Sequence, residues 1–99
     1  MDDVHWDEAK RSSNLDKHGL DFKDAGLVLN SPYRLDADQT RHGEQRTQSF
    51  AYVFDVLAVL TVVHHNRNGR SRIISFRSAS LAERRIYYAW LENHFNVVG

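Results

Sequence analysis

Residues 70–90 read RSRIISFRSASLAERRIYYAW, and the two halves of that stretch decide the fold. Arg72, Ile73, Ile74, Ser75, Phe76 and Arg77 include two β-branched residues and an aromatic with no breaker, the composition of a strand. Plain alternation puts Arg72, Ile74 and Phe76 on one face and Ile73, Ser75 and Arg77 on the other. Ser80 and Glu83 then form an S-x-x-E capping box, whose hydroxyl and carboxylate satisfy orphan amides in a first helical turn. Beyond it Ala82, Ile86, Ala89 and Trp90 share one helical face, while Arg84, Arg85 and Tyr88 point elsewhere. A hydroxyl and a guanidinium, Ser75 and Arg77, thus look out together from a strand whose other side enters a core.

Working outward, 99 residues suit one domain, 1–99, with a single modest core. The absence of cysteine excludes a disulfide framework, a thiolate metal site and a thiol nucleophile, and fits a cytoplasmic protein. The opening MDDVHWDEAK is acidic and has no apolar stretch of signal-peptide length. The longest apolar run, Val56 to Val63, is too short to span a bilayer, so no membrane partner is expected. The net charge of zero conceals two unlike halves. Residues 1–40 carry five Lys/Arg against nine Asp/Glu, whereas residues 41–85 carry eight Arg, no Lys and three acids. An all-arginine basic half points to phosphate or carboxylate, which the planar fork binds bidentately.

Toward the N-terminus, Val4-His5-Trp6 reads as a short edge strand or a hydrophobic staple. Asp7 as cap and Gly19 as stop bound a helix over residues 8–17. Asp21 caps a second helix with Phe22, Ala25, Gly26 and Leu29 as its buried stripe, ended by Asn30-Ser31-Pro32. Tyr33-Arg34-Leu35 can begin a strand, and the polar segment 36–44 reads as a mobile loop. A strand follows over residues 46–54, with Phe50, Tyr52 and Phe54 on one side. Residues 57–65 are apolar on both faces, as in a central strand covered on each side. Asn66-Arg67-Asn68-Gly69 is a hairpin turn leading into residues 70–77, and residues 95–99 read as a loose tail. The expected class is α+β: two N-terminal helices, a three- to four-stranded antiparallel sheet, and a C-terminal helix packed on it.

Among chemical candidates, His64 and His65 are adjacent on a strand and project to opposite faces, so they cannot share an ion. His18 and His42 have no recognised ligand spacing, and no metal site is expected. No phosphate-binding glycine loop occurs, so no nucleotide cofactor is expected either. What remains is basic and polar: Lys17, His18, Glu44, Arg46, His64, Arg72, Ser75, Arg77 and Tyr87. Such a set has what metal-free RNA cleavage requires, namely a proton acceptor, cations for a phosphorane-like charge, and a proton donor. Each residue also has a structural reading: Lys17 suits its helix dipole, Glu44 an arginine, and Tyr87 a core ring.

The ordered pieces resemble a known family. W-D-x-x-K-x-x-x-N-x-x-K-H-G, here Trp6-Asp7, Lys10, Asn14 and Lys17-His18-Gly19, followed by Phe22 and Ala25, is similar to the opening of BrnT toxins. Gly43-Glu44-Gln45-Arg46, Val62-Val63-His64 with Arg67, Arg72-Ile73-Ile74-Ser75 with Arg77 and Ala79, and Glu83-Arg84-Arg85 with Tyr87 follow in the family's order. The chain departs from the pattern in three places. Phe76 stands where a small residue is usual, Ser78 where a second basic residue is common, and the hairpin around Asp55 lacks glycines. Phe76 lies on the face away from Ser75 and Arg77, so a repacked core is expected rather than a blocked site.

The resemblance implies a RelE-like α+β fold and the toxin of a type II toxin–antitoxin module: a metal-independent endoribonuclease that inhibits translation. It implies a BrnA-like antitoxin, a DNA-binding protein of ribbon-helix-helix type, with operator DNA reached only through that partner. Under it, Arg72 and Arg77 bind the scissile phosphate, Lys17 adds charge, Arg46 positions the backbone, and Glu44 or His64 is the general base. His18, Arg67, Arg70, Ser75 and Tyr87 are expected at the RNA. The alternative is a non-catalytic or degenerate module that binds RNA or protein through the same arginines, because binding and cleaving phosphate start from the same electrostatics.

Overall fold

The computed structural model describes residues 3–95. In chain order the elements are β1 (Asp3–His5), α1 (Glu8–His18), one turn of 3-10 helix (Phe22–Asp24), α2 (Gly26–Leu29), β2 (Leu35–Arg41), β3 (Glu44–Val53), β4 (Ala58–Arg67), β5 (Arg70–Ser78) and α3 (Leu81–Phe95). The sheet has five strands in the order β1-β5-β4-β3-β2. All its ladders are antiparallel except β1 with β5, which is parallel. The class is therefore α+β as expected, but the sheet is mixed and one or two strands wider than the sequence indicated.

Central β4 is buried at every position from Val59 to His64, as a strand covered on both faces must be. On one face Ala51, Val53, Leu60, Val62, Ile73 and Phe76 pack against Phe22, Ala25 and Val28 of the N-terminal helical segment. On the other, Phe50 and Val59 pack against Ala79 and Tyr87, with Tyr52, Trp90 and Leu91 around them. Phe76 is fully buried in the first core, so its bulk is absorbed there and does not reach the opposite face.

Local chemistry accounts for most element boundaries. Asp7 accepts hydrogen bonds from the backbone of Ala9 and Lys10, and Gly19 ends α1 at φ 71°. The capping box of α3 is made in both directions: Ser80 N–H donates to Glu83 Oε1 at 2.8 Å and Glu83 N–H to Ser80 Oγ at 3.2 Å. Asn68 and Gly69 both take positive φ, the requirement of a tight two-residue hairpin. Asn14, in the middle of α1, acts as a substitute strand. Its amide donates to Phe76 O at 2.8 Å and accepts from Phe76 N–H at 3.1 Å, where β5 has run past its pairing with β1.

Four expectations need correction. The second N-terminal helix is only a 3-10 turn followed by four residues of α-helix, because Gly26 interrupts it and Pro32 lies close behind. Residues 36–41 are not a loop: they form β2, paired to β3 from Leu35↔Phe50 to Arg41↔Glu44, with His42 and Gly43 as a positive-φ turn. Phe95 belongs to α3, and the rest of the proposed tail lies outside the described residues. Finally, the alternation along β5 is broken. Val63 pairs with Ser75 but His64 with Ile73, so Ile74 is the extra residue of a bulge. Ile73 and Phe76 therefore share the buried face, and Arg72 joins Ser75 and Arg77 on the other.

Candidate active site

The bulge gathers the polar residues. Through the registers Thr61↔Arg77, Val63↔Ser75 and His65↔Arg72, the face that carries Phe50 and Val59 also carries these three β5 side chains. α3 roofs that face only in part. Under its first turn Arg77 makes a bidentate pair with Glu83, at 2.7 and 2.8 Å, and Gln48 donates to the same carboxylate at 2.6 Å. The hydrogen bond from Arg77, with others from the Ser80 backbone and Gln48, prevails over burial and pulls the Glu83 carboxyl down to about 2.

Farther along the strand, where no helix covers the sheet, lies a second cluster. Arg72 donates to Glu44 Oε1 at 2.9 Å. The same oxygen lies 3.7 Å from Arg46 Nε and 3.5 Å from His65 Nδ1. His65 Nδ1 is 2.9 Å from the Gln45 carbonyl oxygen. Arg46 Nε is a buried donor with no hydrogen-bond partner. Arg67, Arg70, Asn68, Gly43 and His5 complete the lining of an open cavity around Glu44, His65 and Arg72. One carboxylate facing the guanidinium groups of Arg67, Arg70 and Arg72 leaves the cavity cationic, and Arg46 lies beside Glu44 outside that lining. Among the described residues, no group of three His, Cys, Asp or Glu side chains is placed to hold a metal ion. Nor is any helix there long and apolar enough to cross a membrane.

The residues expected at the site thus divide. Glu44, Arg46 and Arg72 meet, with Arg67 and Arg70 at the rim. Ser75 and Arg77 share their face, but the fork of Arg77 is taken by Glu83. His64 is on the opposite face, 1% exposed, with Nε2 2.8 Å from Ser49 Oγ and Nδ1 2.7 Å from Asn66 Oδ1. Tyr87 is a core residue. It is wholly buried, its hydroxyl donates to the Tyr33 carbonyl at 2.8 Å and accepts from Tyr52 N–H at 3.1 Å, and burial raises its pKa. Lys17 and His18 are exposed on the last turn of α1, which packs on β5 at its outer edge and belongs to the other layer. The histidine missed by sequence reasoning is His65. The signal was present, since adjacent strand residues must face opposite ways; what chose between them was the face on which Glu44 lies.

The sequence model of a family described as "Ribonuclease toxin, BrnT, of type II toxin-antitoxin system" matches residues 6–83, well over half of the chain. No curated protein matches it.

Proposed function

The chain belongs to the BrnT family of ribonuclease toxins, and on that premise we propose that its Glu44–Arg46–Arg72 cluster cleaves RNA without a metal ion. The observation that carries this reading is an open cavity in which Arg67, Arg70 and Arg72 surround one carboxylate, Glu44, whose Oε1 is also near His65 and Arg46. In the reaction, the ribose 2′-oxygen attacks the adjacent phosphorus. The bond from phosphorus to the 5′-oxygen breaks, leaving a 2′,3′-cyclic phosphate and a 5′-hydroxyl. Charge builds on the non-bridging oxygens as the phosphorus becomes five-coordinate. The donors of Arg72 not used by Glu44 stabilise that charge from fixed positions, which is worth more in the transition state than in the ground state, and Arg46 adds its charge from beside Glu44. Glu44 holds the two guanidinium groups in register, while Arg67 and Arg70 at the rim guide the backbone of the strand.

In the cell the substrate of this reading is translated RNA in the cytoplasm, and growth arrest follows from its loss. The partner is a BrnA-like antitoxin that binds operator DNA and holds the toxin off. The RelE-like description of the fold belongs to the same proposal. The test is cleavage of a short unstructured RNA by the purified protein in EDTA. The expected result is a 2′,3′-cyclic phosphate end, formed by wild type and not by Arg72→Ala. Activity lost with EDTA and restored by one divalent ion overturns the metal-free reaction. Retention of RNA without any cutting turns the protein into a binding module that uses the same arginines.

A further inference from the structure

We propose that His65 is the proton-transfer group of this site and that Nε2 is its working nitrogen, an assignment that rests on the ribonuclease reading. The pairing of β3 with β4 ends at Thr47↔His64, whereas that of β4 with β5 continues through His65↔Arg72 to Arg67↔Arg70. The first residues of β3 therefore part from β4, and the imidazole of His65 bridges the gap to the Gln45 carbonyl, Nδ1 to O, at 2.9 Å. A carbonyl oxygen can only accept, so the hydrogen is on Nδ1, and in the neutral ring Nε2 keeps its lone pair. Nε2 makes no hydrogen bond among the described residues. The backbone thus does for His65 what a buried carboxylate does in other acid–base sites: it fixes the tautomer and holds the ring.

Glu44 is the other candidate for this role, and its geometry argues against it. Oε1 is already shared by Arg72, His65 and Arg46, at 2.9, 3.5 and 3.7 Å, and each of those contacts would be weakened by a proton. His65 is half-buried at the wall of a cavity of about 740 Å³, wide enough for a nucleotide. The charged and titratable groups around it are Glu44 from β3 with Arg46 beside that carboxylate, Arg67 at the end of β4, Arg70 and Arg72 from β5, and His5 from β1. In the step itself, Nε2 takes the proton of the 2′-hydroxyl as the bond from its oxygen to phosphorus forms. The 5′-oxygen leaves with its electron pair and takes a proton from water, and the hydroxide left behind deprotonates the imidazolium. The neutral ring is the active form, so the rate falls with acid as Nε2 becomes protonated.

The experiment measures single-turnover cleavage of a short RNA from about pH 5 to about pH 8, the range in which histidine titrates. It compares wild type, His65→Ala, His65→Gln and Arg72→Ala. Glutamine keeps an amide donor for the Gln45 carbonyl but cannot titrate, so it separates ring chemistry from support of the strand. The expected result is a rate lowered about 100-fold or more in both His65 variants, with the acid limb abolished. A long-range proton–nitrogen NMR spectrum of the free wild-type protein is expected to show His65 with hydrogen on Nδ1 and a bare Nε2. Wild-type cleavage that Arg72→Ala removes, but that keeps its acid limb in His65→Gln, overturns the assignment to His65 alone. Hydrogen on Nε2 in the neutral ring overturns it as well. Wild-type protein that never cuts RNA overturns the ribonuclease reading and this assignment with it.

Discussion

Arg77 with Glu83 and Arg72 with Glu44 are the same chemical pair on the same face of one sheet, and they are set in opposite surroundings. Arg77 and Glu83 meet through both prongs, at 2.7 and 2.8 Å. Their carboxylate also closes the capping box of α3 and accepts from Gln48. Every lone pair of that group has work inside the fold. Arg72 reaches Glu44 through one nitrogen, at 2.9 Å, with no helix above it. The carboxylate there is approached by two guanidinium groups and the imidazole of His65, and Arg46 Nε has no hydrogen-bond partner. A satisfied pair has its donors and acceptors committed to the fold, whereas an incompletely satisfied one leaves donors open to a ligand. Arginine content alone would rank the two alike.

The largest expected effect separates the two by kind. Arg72→Ala lowers the rate of RNA cleavage by about 100- to 1000-fold, the loss typical of one fixed oxyanion donor, while thermal stability changes by less than about 1 kcal/mol. Arg77→Ala does the reverse. It leaves Glu83 half-paired in the first turn of α3 and costs roughly 1–3 kcal/mol, discounted from a fully buried pair because both side chains keep some solvent. Cleavage assays and denaturant melts on both variants check this. A folded Arg77→Ala protein with full stability and no activity would move the site under α3 and erase the contrast.

Next in size is the coupling within each pair. A double-mutant cycle over Arg77 and Glu83, read from urea melts, is expected to give about 1–2 kcal/mol of interaction. The same cycle over Arg72 and Glu44 is expected to give under about 1 kcal/mol, as for exposed pairs. Equal couplings would mean that the open cluster is also structural.

How far the sequence revealed this division depends on the element. The capping box, the Asn68-Gly69 turn, the caps of α1 and the central strand were all legible, because each is set by residues within a few positions. The strand β2 was not. Only Leu35 and Gln39 are half-buried in LDADQTR, so an edge strand that shows polar groups to water on both faces looks like a loop. The bulge at Ile74 was not legible either, since nothing in Ile73-Ile74-Ser75 marks which residue is extra; pairing with β4 decides it. That one residue moves Arg72 onto the face of Glu44, and so the composition of the site was readable while its assembly was not. His64 and His65 show the same limit: their opposed directions follow from the backbone, but the side on which β3 places Glu44 does not.

Acid sharpens the comparison more gently. The carboxyl of Glu83 sits at about 2 in the folded protein against an ordinary value of 4.5, held there first by the hydrogen bond from Arg77. A lowered carboxyl contributes stability that is complete above the unfolded value and is lost as the pH falls toward the folded one. Stability is therefore expected to decline from about pH 4.5 toward about pH 2, and Arg77→Ala is expected to flatten that part of the curve. Melting temperatures at several acidic pH values measure it. An unchanged slope in Arg77→Ala would assign the acid sensitivity to other carboxylates, with Asp36 the next to examine, since hydrogen bonds from Arg34 and Ser49 hold it low against the effect of burial.

The smallest effect belongs to the rim. Arg67 and Arg70 face each other across the last rung of the β4–β5 ladder and are exposed at the rim of the cavity. A cation in that position meets a phosphate through water and mobile ions, so its contribution is the release of about one condensed counterion. Arg67→Gln is then expected to weaken binding of a non-cleavable 2′-deoxy strand only a few-fold at moderate salt. It should reduce the slope of log affinity against log salt by about 0.7, the value for one phosphate on a single strand. The turnover of bound RNA is expected to stay unchanged, because Arg67 touches neither Glu44 nor Arg72. Fluorescence anisotropy over a salt series measures the slope, and single-turnover cleavage measures the rest. A change in turnover with no change in slope would place Arg67 inside the reacting cluster, and the boundary between the open pair and its rim would have to be redrawn around it.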